Sequence, residues 1–262
     1  LNWIKKRTNN FFMKKIFVTT FNKKLFDIYA HKLLDSYVNT KQILPLYCYV
    51  EDDIQLYPNY NNVYYINLFE KQPECKNFVD RNFEKNKKYV NLYLLDAVRF
   101  CYKVFAQSDA RNYGDHIFYI DADTYFQKTI PSSWYESCLP ENVFISFYDR
   151  LGYYTEAGFI AFNGSLKNKN NKLINYFFDI YTSYYTKDLI YSLPAFTDCH
   201  ALDATRYRFL FLKPYIKEYK LYNEKKLGNM QLWFTKGNLD VMKTDKFINE
   251  YIIHNKGLEK NK

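Results

Sequence analysis

The tightest limit on what this chain can fold into is the placement of its glycines: there are only seven in 262 residues, and the first is Gly114. Dinucleotide-binding turns and P-loops both need glycine, because backbone N–H groups must approach a phosphate closely at the start of a helix. Neither device can be built in the first 113 residues. A phosphate held by that part of the chain must be held by side chains or through a metal.

The rest of the composition narrows the class. Apolar residues make up 48% of the chain, enough for a real core and too many for wholesale disorder. No run approaches the roughly 18 apolar residues of a membrane-spanning helix. The basic start, Leu1 to Lys15, is followed only by the short run Ile16–Val18, whereas a secretory signal needs an apolar core of about 7–15 residues. Five cysteines (Cys48, Cys75, Cys101, Cys138, Cys199) are odd in number and contain no C-x-x-C, which argues for ordinary thiols in a reducing compartment. These features predict a soluble, cytoplasmic chain. The net charge of +9 suits anionic substrates or peripheral contact with the inner face of a membrane, and equally suits a solvated lysine-rich surface. It is dispersed, without the clustered stripe of a nucleic-acid binder. Tyr and Phe are abundant, but so are Lys, Asn and Ile, as A/T-rich codons would give, so the aromatics are assigned no mechanism.

Along the chain, residues 1–12 read as an extension outside the fold, and 13–262 as one domain without repeats or linkers. Lys15–Thr20 is a buried-strand run. Leu25, Ile28, Tyr29, Leu33 and Tyr37 then fall on one helical face, with Asn22 as its N-cap. Ile43–Val50 and Val63–Leu68 are further strands, giving a β-α-β-β start and an α/β sheet. Residues 69–88 are charged and show no clear period. Val90–Ala106 predicts a helix with Leu94, Val98, Cys101 and Phe105 in one stripe and Arg99 and Lys103 projecting from one side. Strands are expected at Ile117–Ile120, Val143–Phe147 and Gly158–Phe162, and a helix through Leu173, Phe177, Ile180 and Tyr184. A shorter helix over Ala201–Phe211 and a small strand at Tyr251–His254 follow.

Two local features carry chemistry. F-Y-I-D-A-D-T at 118–124 is an apolar strand running into Asp121-Ala122-Asp123. Carboxylates at the carboxyl edge of an α/β sheet stand where such sheets bind ligands, and in extended backbone i and i+2 point the same way. Two carboxylates with no cysteine beside them suit Mg²⁺ or Mn²⁺ together with substrate phosphates. Near the other end, H-N-K-G-L-E-K offers His254, Gly257 and Lys260. A neutral imidazole can complete a cation's coordination, glycine allows close approach, and lysine meets a diphosphate as a point charge.

Together these features resemble the GT-A glycosyltransferases, in which D-x-D holds a divalent cation against the diphosphate of a nucleotide-sugar. The tail resembles the H-x-x-G-x-x-K motif of family 8. V-T-T-F at 18–21, L-P-L-Y-C-Y-V-E-D at 44–52, R-F-C-Y-K-V-F-A at 99–106, Y-T-E-A-G-F-I-A-F-N at 154–163 and T-D-C-H-A-L-D at 197–203 are similar to bacterial and phage GT-A proteins. The resemblance spans residues 14–260 and implies a single GT-A domain: a mostly parallel, Rossmann-like central sheet flanked by helices. It implies a metal-dependent transferase, hexosyltransferase-like and suited to polysaccharide biosynthesis, taking a UDP- or GDP-linked donor and a glycan or glycolipid acceptor. Asp121, Asp123 and His254 would hold Mn²⁺ or Mg²⁺. Asp121 and Ala122, with Thr19, Thr20, Phe21, Glu51 and Asp52, would line the nucleoside side. Arg99, Lys103, Gly257 and Lys260 would meet phosphate or sugar. Glu156 and Gly158 would sit by the donor sugar and acceptor, and Asp198 would bind the acceptor or act as general base. Two departures stand out: Asn261 follows Lys260 where family 8 has Pro-Trp, and Glu259 stands where the other group carries arginine. A sugar-phosphate nucleotidyltransferase, and a non-catalytic glycan- or nucleotide-binding module on this fold, are the alternative readings.

Overall fold

The computed structural model describes residues 13–89, 92–148, 154–168, 171–212, 218–220 and 246–255. The expectation for residues 1–12 therefore lies outside the described residues.

Strand β1 (Lys15–Phe21) is buried along almost its whole length because both faces of the sheet are covered. Asn22 caps the next helix as its position predicts, accepting the Leu25 N–H at 3.0 Å. That helix is a single turn, α1 (Lys23–Leu25), then a π-helical turn at Phe26–Ala30, then α2 (His31–Asn39). The wider turn shifts the phase of the expected stripe: Leu33, Leu34 and Tyr37 pack on the sheet, whereas Ile28 is left 39% exposed. Strand β2 (Leu46–Val50) begins after Pro45, which has no N–H for the ladder, and β3 (Val63–Asn67) follows.

The charged stretch without a clear period folds as α3 (Leu68–Lys71) and α4 (Pro73–Lys87). Its inward positions are Cys75, Phe78, Asn82 and Asn86, so two of the four are polar and the apolar period is broken. Helix α5 (Ala97–Ala110) begins at Ala97 rather than Val90, because the Asp96 carboxylate accepts the Arg99 N–H at 3.1 Å and starts the helix there. Of the expected stripe, Cys101 and Phe105 are buried, while Leu94 precedes the helix and is 43% exposed.

Then come β4 (His116–Ile120), β5 (Thr124–Phe126), α6 (Ser132–Cys138), β6 (Ile145–Tyr148) and β7 (Glu156–Asn163). A small hairpin, β8 (Lys167–Asn168) and β9 (Asn171–Lys172), leads to α7 (Leu173–Thr186). Helix α8 (Asp198–Leu212) starts three residues before the expected Ala201, and β10 (Glu218–Lys220) and β11 (Ile252–His254) follow among the described residues.

The main sheet runs β10-β6-β7-β4-β1-β2-β3. β1 pairs parallel with β2 and β4, β2 with β3, and β10 with β6; only β7 runs against its neighbours. This is the α/β, mostly parallel sheet expected. One core lies between the sheet and α4, α5, α7 and α8; a second lies under α2 and α6 on the other face. Cys48, Cys75, Cys101 and Cys138 are buried free thiols and Cys199 is half-buried. No helix among the described residues is long and apolar enough to cross a membrane.

The packing also returns the far end of the chain to its middle. β11 pairs antiparallel with β5, setting His254 opposite Thr124. Ile248 and Ile252 are fully buried in the second core, and the Trp134 ring stacks on Phe247 at 5.3 Å. Burying each isoleucine stabilises this attachment by about 2 kcal/mol.

Candidate metal centre at the carboxyl edge of the sheet

β1 is flanked by β2 on one side and β4 on the other, so the chain reverses its direction of sheet growth between β1 and β4. The carboxyl edge at such a switch point is the ligand crevice of open α/β sheets. Asp121, Ala122 and Asp123 leave β4 there. They are not extended as the sequence reading assumed: they form the turn between β4 and β5, closed by Thr124, whose N–H and hydroxyl both reach the Asp121 carbonyl, at 3.2 and 2.7 Å. The i and i+2 argument therefore gives way to turn geometry, yet the two carboxylates still converge.

His254 meets them. Its Nε2 lies 3.1 Å from Asp123 Oδ1 and 3.9 Å from Asp121 Oδ2, and one ligand atom from each of the three residues falls within 4.8 Å of the others. Neighbouring ligands of an octahedral cation with bonds of about 2.1 Å stand about 3 Å apart, so small adjustments would let this trio hold one. The backbone fixes the arrangement: Asn255 N–H donates to the Asp123 carbonyl at 2.8 Å, and Asp121 N–H donates to the Gly158 carbonyl at 2.9 Å. His254 and Asp123 are buried and Asp121 is half-buried.

Lys103, expected to meet phosphate or sugar, is held between two carboxylates of this edge. One turn along α5 from Arg99, its ammonium sits 2.7 Å from Asp121 Oδ1 and 2.8 Å from Asp198 Oδ2, and donates to the Ala157 carbonyl at 3.0 Å. Burial alone would push that ammonium down, but Asp121 and Asp198 together hold it well above its ordinary range. Burial and the neighbouring Asp123 push the Asp121 carboxyl up against the pull of Lys103. Arg99 remains at the exposed rim, its guanidinium over the Tyr93 ring and 3.5 Å from Asp96.

The remaining expected residues are distributed around this centre. Glu156 and Gly158 are buried in β7, with Glu156 Oε1 accepting the Gly158 N–H at 3.1 Å. Asp198 is buried in the first turn of α8, and its carbonyl accepts the Tyr181 hydroxyl at 3.1 Å. Thr19 and Thr20 alternate along β1, so Thr20 faces the α5 side and Thr19 the α2 side; neither buried hydroxyl oxygen makes a hydrogen bond among the described residues. The Phe21 ring packs against Phe26 and Tyr57 in the core. Asp52 accepts from the Lys23 N–H and from the Tyr57 hydroxyl. Gly257 and Lys260 lie outside the described residues.

Tyr29, which the helical spacing reads as a position on the apolar face, feels the charge of the centre. Its hydroxyl is pushed up first by burial and then by the charges of Asp123 and Asp121. The π-helical turn at Phe26–Ala30 carries it to this edge, and nothing in the local spacing announces such a turn.

Glu51, just past β2, gives a pH signature. Its Oε2 accepts from Asn22 Nδ2 at 3.3 Å, but burial, with Asp52 adding, pushes its carboxyl up to about 7 from an ordinary 4.5. A carboxyl raised on folding binds more protons in the folded state, so it favours the fold at low pH and that benefit is lost as pH rises through 7. Glu51→Gln keeps the Asn22 bond and removes the titration. The variant should be more stable than the parent above pH 7, with the gap closing towards pH 4.5. Denaturant midpoints across that window check this; a gap that stays constant contradicts it.

No family model and no curated protein matches the chain. Among solved structures, it is similar to the apo form of mouse xyloside xylosyltransferase 1, at 11% identity and a TM-score of 0.48, over 88% of this chain and 93% of that one.

Proposed function

We propose that residues 13–262 form a metal-dependent glycosyltransferase, moving a sugar from a UDP- or GDP-linked donor to a hydroxyl of a glycan or glycolipid. The observation that carries this reading is the meeting of Asp121, Asp123 and His254 at the carboxyl edge of the sheet. The donor set fits Mg²⁺ or Mn²⁺: two hard carboxylates and one imidazole, with no thiolate among them. A bound divalent cation would supply neutralisation of the charge that builds on the leaving diphosphate.

The chain's own residues do the rest. Asp121 turns one oxygen to Lys103 and the other towards His254, so a fixed positive charge stands directly behind the acidic pair. Lys103, clamped by Asp198, is pre-set against a developing negative charge and needs no reorganisation when that charge appears. Thr20, with its unpartnered hydroxyl, and Glu51 lie on the α5 side at the ends of β1 and β2, where a nucleoside would meet them. Arg99 stands at the rim to receive phosphate or sugar, and His254, Gly257 and Lys260 would close the diphosphate side. Asp198 and Glu156 are the acceptor-side carboxylates, Asp198 being the one for acceptor binding or proton removal. The reading places the protein in the cytoplasm, in polysaccharide synthesis.

Calorimetric titration of UDP and GDP into the full chain, with and without Mn²⁺, tests this. Binding should need the metal; affinity independent of it overturns the role given to Asp121 and Asp123. Release of free sugar from nucleotide-sugars in the presence of Mn²⁺ separates a transferase from a binding module.

A further inference from the structure

Next to the acidic centre the surface changes character. Between α4 and α5, Leu92, Tyr93 and Leu94 are 51%, 54% and 43% exposed. Scattered exposed apolar side chains are ordinary; a contiguous group edged by cations is not. Contacts join this one together. The Lys85 ammonium lies 3.2 Å from the centroid of the Tyr191 ring, Tyr191 packs edge-on against Phe196, Phe196 against Tyr89, and Lys88 lies over Tyr89. The Phe196 N–H donates to the Leu94 carbonyl at 2.7 Å, and Arg99 lies over Tyr93. From Glu84 to Arg99 there are four cations against two carboxylates: Lys87 pairs with Glu84 at 2.6 Å and Arg99 lies 3.5 Å from Asp96, which leaves Lys85 and Lys88 as the excess charge.

We propose that this basic and aromatic face docks on an anionic lipid bilayer. Tyrosine rings carrying ammonium groups suit the headgroup layer, where the ring is half-solvated and the lysine stem lies along apolar surface with its charge in water. Leu92 and Leu94 supply the apolar contact below that level. Each near-surface lysine raises partition into an anionic membrane roughly five-fold. Arg99 and Lys103 are one turn apart on α5, so this face borders the acidic centre along that helix. This inference uses none of the metal-binding residues, and its test leaves Arg99, the one residue it shares with the transferase reading, unchanged.

Flotation of the full chain with phosphatidylcholine vesicles, with and without phosphatidylglycerol, is the test. The chain should float only with the anionic vesicles and lose binding as salt is raised. Lys85→Gln/Lys88→Gln should lower partition about 30-fold, and Leu92→Ser/Leu94→Ser should lower it with the charge intact. Circular dichroism and thermal unfolding report whether each variant is folded; Lys85 and Lys88 are exposed, so the lysine pair tests the idea even if the leucine pair unfolds. No flotation overturns the proposal. Flotation unchanged in the lysine variant also overturns it, placing the contact elsewhere, for instance on the basic run Lys256–Lys262. Retention on nucleic acid or an acidic polypeptide, without vesicle binding, overturns it as well.

Discussion

Asp123→Ala should remove the proposed Mn²⁺-dependent nucleotide binding and donor turnover, by about 1,000-fold or more, and leave the fold in place. The size follows from position. A residue that merely supports a metal ligand costs about 10–100-fold when lost, and Asp123 is proposed as a ligand itself. It is also the group against which His254 is set, at 3.1 Å. Without it, the trio is reduced to His254 and Asp121, 3.9 Å apart, and two separated groups hold a hydrated divalent ion weakly. The fold should survive because the substitution removes one of two neighbouring carboxylates, relieving repulsion while losing the hydrogen bond with His254. Those effects oppose each other at about 1 kcal/mol each. The β5–β11 pairing and the Asn255 N–H bond to the Asp123 carbonyl are backbone interactions that alanine retains. Calorimetry with Mn²⁺ and nucleoside diphosphate, alongside thermal unfolding, gives both readouts. Undiminished metal-dependent binding would remove Asp123 from the centre.

How far the sequence reached this centre depends on the kind of signal. β1, β4 and the Asn22 cap were legible because burial and capping are written in neighbouring residues. His254 was legible as one member of a spaced motif, and its partner strand explains the rest: Ile248, Ile252 and the Trp134–Phe247 stack fold the chain's end onto β5. α4 was not legible because it buries Asn82 and Asn86, which bond Asp188 and Asp96, so its inner face looks polar. The late start of α5 could have been read from Asp96, an N-cap residue placed directly before the helix. Tyr29 depended on a π-helical turn. The most distant arrangement, Lys103 between Asp121 and Asp198, has no local signature at all; three elements must pack before it exists.

That arrangement is also where a single substitution should cost most stability. Lys103→Met keeps the length of the stem and removes the charge that faces both Asp121 and Asp198. Side-chain exposure is 13% for Lys103, 24% for Asp121 and 1% for Asp198, so little water is at hand to replace the ammonium. Breaking a buried ion pair by removing one partner costs about 3–5 kcal/mol, chiefly because the remaining charge is left uncompensated. For a chain of this size that lowers the melting midpoint by about 10 °C. The Ala157 carbonyl loses its donor in the same step, tying the loss to β7 as well. The charge explanation makes a second demand: Lys103→Met/Asp198→Asn should recover about 1–3 kcal/mol relative to Lys103→Met, since it removes one of the stranded carboxylates. Chemical denaturation of the parent, both single variants and the double variant in chelator gives the coupling directly. If the double variant is no more stable than Lys103→Met, the lysine is acting through packing of its stem and not as the cation that lets two carboxylates share the interior.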